Sequence, residues 1–203
     1  MIVGVLALQG DFDAHRKMLE ASGEPGLEVL AVREAKELER CDALVIPGGE
    51  STVMSRLCDR YELWQPLEQK IESGMSVLGT CAGMIFLARN ITGATNNFQQ
   101  KTLGALDIDV ARNAYGAQVD SFESDIDVPA LGEPPLRAVF IRAPRITRVG
   151  EGVEVLASHA GEPVLVQSGT AVGQVVMAAA FHPEISGDDR VHRLWLSTVR
   201  SKY

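Results

Sequence analysis

No apolar run in this chain of 203 residues approaches the roughly 20 residues of a membrane-spanning helix. Positive charge is also scarce: Lys and Arg number 19 against 27 Asp and Glu, a formal net charge of −8. That balance argues against a nucleic-acid or anionic-membrane partner. The apolar start, Met1-Ile2-Val3-Gly4-Val5-Leu6-Ala7-Leu8, has no basic stretch before it and no small-residue cleavage site, and Gln9-Gly10-Asp11 ends it. It does not read as a signal peptide, and the cytosol is the expected compartment. Cysteine is limited to Cys41, Cys58 and Cys81, odd in number and well separated, without a Cys-x-x-Cys or His-x-x-x-His pattern. A disulfide framework and a structural zinc site are thereby disfavoured. Cys41 and Cys58 read as small buried hydrophobes. The Walker A spacing is missing, and so is a G-x-G-x-x-G fingerprint.

What is present is ordinary for a soluble globular protein: 46% hydrophobic and 23% charged residues, enough for one domain over residues 1–203 with a core of its own. Residues 2–8, 27–32, 43–46 and 76–79 read as buried strands. Residues 11–22, 51–57 and 62–73 read as helices between them. Buried strands separated by helices imply βαβ units and a parallel sheet covered on both faces. The second half differs. An apolar helix over residues 84–89 leads into a polar loop over 93–101. Residues 120–135, with five acids and no base, form a surface excursion. Residues 153–157, 163–167 and 171–181 read as strands joined by short Gly-containing turns, which suggests antiparallel pairing. A helix from 188 to about 202 closes the chain. The expected architecture is a doubly wound α/β fold, its sheet mostly parallel with an antiparallel extension.

Gly79-Thr80-Cys81-Ala82-Gly83 joins a strand to a helix. This is the spacing of a nucleophile elbow, with Cys where other hydrolases place Ser. The glycines permit the tight turn, and the helix N-terminus favours a thiolate. The amide of Ala82 is placed to donate to an oxyanion. A Gly-flanked cysteine with no role is the competing reading of this motif alone. A thiolate mechanism needs a base and a group that orients it. Of His15, His159, His182 and His192, only His182 has a carboxylate in the right relation, in Phe181-His182-Pro183-Glu184. In an extended segment, residues i and i+2 point the same way, and Pro183 biases His182 towards that conformation. Pro47-Gly48-Gly49-Glu50-Ser51-Thr52 ends another strand at the same edge. Its glycines offer backbone N–H groups for an oxyanion or a phosphate, and Ser51 is a candidate cap for the following helix. Arg112 and Arg142 are cations able to grip a carboxylate, although isolated arginines more often serve structure.

Together these motifs resemble the class I, triad-type glutamine amidotransferases. Within that family they look like the glutaminase subunits of the two-protein pyridoxal 5′-phosphate synthases. The triad segments occur in the family's chain order. The more specific likeness lies in Leu8-Gln9-Gly10 with His15, in Arg112-Asn113-Ala114-Tyr115-Gly116 with Ser121-Phe122-Glu123, and in Ile141-Arg142-Ala143-Pro144. It extends from Ile2 to the C-terminal helix. The resemblance implies a flavodoxin-like, three-layer fold and assigns roles. Cys81 would be the nucleophile, His182 the base and acid, and Glu184 the orienting carboxylate. The amides of Gly48 and Ala82 would form the oxyanion hole. Gly48, Gly49, Glu50, Arg112, Ile141 and Arg142 would bind L-glutamine. Gln9, Gly10 and His15 would face a synthase subunit in a hetero-oligomer.

The implied reaction is hydrolysis of L-glutamine to glutamate and ammonia through a γ-glutamyl thioester, with no metal or organic cofactor held by this chain. The ammonia would pass to the synthase subunit, which makes pyridoxal 5′-phosphate. Two alternatives stay open at this point: a glutaminase serving another biosynthetic synthase, and a non-catalytic binding module with the same fold.

Overall fold

The computed structural model describes residues 1–93, 100–112, 121–169 and 173–200. Its centre is a seven-stranded sheet. Five of the strands, β1 (Ile2–Leu6), β2 (Glu28–Val32), β3 (Ala43–Ile46), β4 (Ser76–Thr80) and β12 (Val175–Ala179), run parallel in the order β12-β4-β3-β1-β2. Two more, β10 (Val153–His159) and β11 (Glu162–Gly169), continue the sheet beyond β12 in antiparallel pairing. The expected mixed sheet is therefore observed, and β12 is where its direction changes. Every residue of β3 and β4 is buried, as strands covered on both faces must be.

The connections decide where the helices lie. β1 to β2 moves towards one edge through α1 (Phe12–Ala21), whereas β2 to β3 and β3 to β4 move the other way, through α2 (Ala35–Glu39), α3 (Ser51–Arg60) and α4 (Trp64–Glu72). Right-handed crossovers then place α1 on one face and α2–α4 on the other. The helix α5 (Ala82–Leu87) packs on α3, β3, β4 and β12, and α6 (Arg190–Arg200) packs on β12 and α1. Local chemistry starts the first two helices. Asp11 caps α1 by accepting from the Ala14 amide at 3.1 Å, and Glu34 and Glu37 form a capping box on α2. Among the described residues, no helix is long and apolar enough to cross a membrane.

Two expectations need correction. The helix expected over residues 84–89 ends at Leu87; Ala88–Thr92 is strand β5, paired parallel with β6 (Leu106–Ala111), which pairs in turn with β9 (Arg145–Val149). The apolar pattern runs out at Arg89-Asn90, and a side-chain bond from Asn90 to Asp109 at 2.8 Å supports the strand pairing instead. The acidic excursion of residues 120–135 contains strand β7 (Phe122–Ile126), paired with β8 (Leu136–Phe140). Its acids alternate with less exposed residues, and Arg137 across the ladder binds both Glu123 and Asp125, a cross-strand charge pairing. Most of the polar stretch expected over 93–101, residues 113–120 and residues 170–172 lie outside the described residues, as do residues 201–203 of the expected last helix. Of the polar stretch, Gln100 is described and is buried.

Candidate active site

Parallel strands put their C-terminal ends on one edge, and four such ends meet here: Gln9 follows β1, Gly48 follows β3, Cys81 follows β4 and His182 follows β12. The sheet order reverses between β1 and β3, the switch point at which open α/β sheets bind ligands. A cavity of about 290 Å³ opens at this edge. Cys81, Ala82 and His182 line it, with Gln9, Gly49 and Glu50 on one side and Arg112, Ile141 and Arg142 on another.

Cys81 takes φ 48° and ψ −103°, a left-handed conformation that costs a non-Gly residue about 1–3 kcal/mol. The surroundings enforce it. The Cys81 amide is held by the Ala179 carbonyl at 2.8 Å, and α5 begins at the next residue. A Cβ on Gly83 would collide with the backbone carbonyl of Ile46, and one on Gly79 would lie 2.7 Å from the Gly83 backbone. Glycine at both positions is what lets α5 close down on β3 and β4. The first-turn amides of α5, including that of Ala82, have no acceptor within the helix. The Cys81 thiol lies 3.9 Å from the Ile141 carbonyl oxygen.

His182 is buried, and its backbone N–H donates to Val139 of β8 at 2.8 Å. The strand that carries Ile141 and Arg142 to the cavity therefore also fixes the histidine. His182 Nδ1 lies 2.7 Å from Glu184 Oε1, with Glu184 almost wholly buried, as the i, i+2 spacing predicts. Burial works against charge on the imidazole, but hydrogen bonds to Cys81 and Glu184, together with their charges, outweigh it and raise His182 to about 10. A thiol, an imidazole and a carboxylate linked in this order can hold a thiolate–imidazolium pair.

The loop after β3 is held from two sides. Glu50 N donates to Gln9 Oε1 at 2.7 Å, and the Glu50 carboxylate caps α3 by accepting from Thr52 N at 3.0 Å and Val53 N at 2.7 Å. Partial burial raises the Glu50 carboxyl, but these backbone bonds, with Arg112, prevail and lower it. Glu50, not Ser51, is thus the helix cap; Ser51 instead donates to Gln100 Oε1 at 3.1 Å. Gly49 and Glu50 line the cavity as expected. Gly48 stands directly against the catalytic candidates: a Cβ there would collide with the His182 ring and lie 3.2 Å from the Cys81 Cβ. Gly10, at φ 93°, is fitted so tightly against the Gly48 carbonyl that a Cβ has no room.

Arg112 is held by Gln100 Oε1 and Thr52 Oγ1, each at 2.9 Å. Gln100 stands in a polar stretch that reads as exposed, with no motif to mark it; its amide oxygen adds a second link between α3 and Arg112, accepting from Ser51 and Arg112 together. Arg142 is exposed and also has a positive φ, 45°. His15 requires correction. Its side chain is fully buried, 2.9 Å from His192 and 3.1 Å from Thr80 Oγ1, so it cannot meet a partner subunit. It faces inward because α1 turns this side towards the sheet and α6. Gln9 and Gly10 remain partly exposed. Among the described residues, no group of three or more His, Cys, Asp or Glu forms a metal cluster.

Known proteins share this arrangement of chain. A pyridoxal 5′-phosphate synthase subunit PdxT from Kosmotoga olearia is 47% identical over 202 residues, covering all of both chains. Another PdxT, from Pelotomaculum thermopropionicum, is 52% identical over 196 residues, 97% of this chain and 94% of that one. A crystal structure of a glutamine amidotransferase superposes with a TM-score of 0.87 at 44% identity, covering 98% of this chain and 100% of the other. The profile of the SNO glutamine amidotransferase family matches residues 5–201, and the chain belongs to that family.

Proposed function

We propose that this chain is the glutaminase subunit of a pyridoxal 5′-phosphate synthase, acting in the cytosol as one domain over residues 1–203. The observation that carries the chemistry is the buried His182, bonded to Glu184 and set beside Cys81 at the edge of a cavity with cationic walls. The PdxT relatives, similar along their whole length, support the partner.

In this reading the Cys81 thiolate attacks the side-chain amide carbon of L-glutamine. The amides of Ala82 and Gly48 receive the oxyanion. His182 gives its proton to the departing nitrogen, so ammonia leaves and a γ-glutamyl thioester remains. His182, now neutral, takes a proton from water, and the resulting hydroxide attacks the thioester to release glutamate and the thiolate. Glu184 keeps the ring oriented and stabilises its charged form. Arg112 and Arg142 hold the substrate carboxylate, with Gly49, Glu50 and Ile141 completing the pocket. Ammonia released to water would be protonated, so a second subunit must receive it directly. Gln9 and Gly10, at the cavity edge and in contact with the Gly49-Glu50 loop, are the segment through which docking would set the oxyanion amides.

The test is steady-state glutamate release by the purified chain, alone and mixed with the synthase subunit. Little activity alone and strong activation on mixing is expected, with a Gln9→Ala variant activated less. Full activity of the isolated chain would refute the coupling. No activity in the mixture would refute the function.

A further inference from the structure

Two buried histidines stand behind the triad, unused by the reaction as written. His15, on α1, and His192, on α6, are both fully buried. His15 Nδ1 is 2.9 Å from His192 Nε2, while His15 Nε2 is 3.1 Å from Thr80 Oγ1 and 3.4 Å from Glu184 Oε2. Glu184 Oε2 is the carboxylate oxygen that His182 does not use, and His15 Nε2 is the nitrogen placed beside it.

The protons on these rings can be assigned. Burial disfavours charge on both, lowering His192 to about 4 and His15 well below its ordinary value, the latter also through His192 and His182. Each ring is neutral and carries one proton, and a single proton lies between His15 Nδ1 and His192 Nε2. If it belonged to His15, His15 Nε2 would accept from the Thr80 hydroxyl and still set a lone pair beside a carboxylate oxygen. His192 would then bury an N–H at Nδ1, an atom with no hydrogen-bond partner among the described residues. If it belongs to His192, the atom left over is an unprotonated nitrogen, and His15 carries its proton at Nε2, between Thr80 and Glu184. The second arrangement avoids both a buried orphan donor and a repulsive contact.

We propose that His15 is a positioning residue for the triad, its Nε2–H directed at Glu184 Oε2 and its ring held by His192. This rests on the glutaminase reading above. A carboxylate gripped at one oxygen by His182 and at the other by His15 cannot rotate, so the imidazole keeps its aim at Cys81. The 3.4 Å separation is long for a hydrogen bond, as catalytic contacts often are before substrate binds. Because α1 also follows directly from Gln9, one short segment reaches both the loop after β3 and the far side of the triad.

The experiment has two parts. Nitrogen-15 NMR of the full chain, with the His15 ring signals assigned through the bonds that link them to its own backbone amide, should show a neutral ring protonated at Nε2; protonation at Nδ1 would overturn the proposal, whether or not any variant folds. In the complex with the synthase subunit, His15→Leu should lower kcat for glutamate release roughly ten- to a hundredfold with little change in KM, the loss expected for one bond to a charged group. His15→Gln, which keeps an N–H of similar reach, should recover much of it. Unchanged kcat in a folded His15→Leu would also overturn it. Wild-type chain inactive in the same assay would instead count against the function, since the NMR result stands apart from turnover.

Discussion

At the scale of single residues, Cys81 is set apart from the other two thiols by its surroundings. Burial raises Cys41 to about 11 and Cys58 to about 12, whereas Cys81 has His182 beside it and a cavity in front. A diazo-ketone analogue of glutamine should label Cys81 and spare the others, as peptide mapping would show, and Cys81→Ser should abolish glutamate release while the protein still unfolds cooperatively. Even labelling of the three thiols would remove the assignment. Arg112→Ala and Arg142→Ala should each raise KM for glutamine roughly tenfold to a hundredfold, the worth of a charge-assisted contact. Arg112→Ala should also loosen Gln100, since the two share a bond. The i, i+2 spacing of His182 and Glu184 was readable in advance because it is local. The burial of His15 was not, because it depends on α6, 177 positions away in the chain.

At the scale of elements, the elbow exists because α5 lies so close to β3 that only glycine fits at position 83. Gly83→Ala should force the two apart and cost about 1–3 kcal/mol, the range for overpacking a filled core, seen as a lower urea midpoint together with lost activity. An alanine variant as stable and active as the parent would show that α5 can shift freely. The parallel strands were legible as short buried runs between helical patterns, β3 to the residue. What escaped were β5 to β9, since strands in small antiparallel or mixed sheets draw their pattern from partners far along the chain. Ser51 is a candidate cap because Ser is a common N-cap; the carboxylate of Glu50 takes the first-turn amides instead.

At the scale of the whole molecule, two neutral histidines buried between α1, α6 and the sheet make stability depend on pH. Their folded values lie below the unfolded value near 6.5. The unfolded chain therefore takes up protons first as pH falls. The stability is fully present above pH 6.5 and is lost between there and about 4; for His192 alone the loss is about 3 kcal/mol. Urea midpoints measured from pH 6.5 to 4.5, below the range in which the raised His182 contributes a slope of opposite sign, should decline, and a flat profile would mean that the rings are charged when folded. The sheet order carries a different consequence, for the chain as it is made. β12 lies between β4 and β11, and it brings His182 and Glu184 with it. Until the last fifth of the polypeptide leaves the ribosome, Cys81 has neither imidazole nor carboxylate behind it, and the strand before it has an open edge of the kind that pairs with other chains. Birth of the glutaminase and closure of its sheet are thus a single late event, and a nascent chain releases no ammonia before it can fold around the place where ammonia is made.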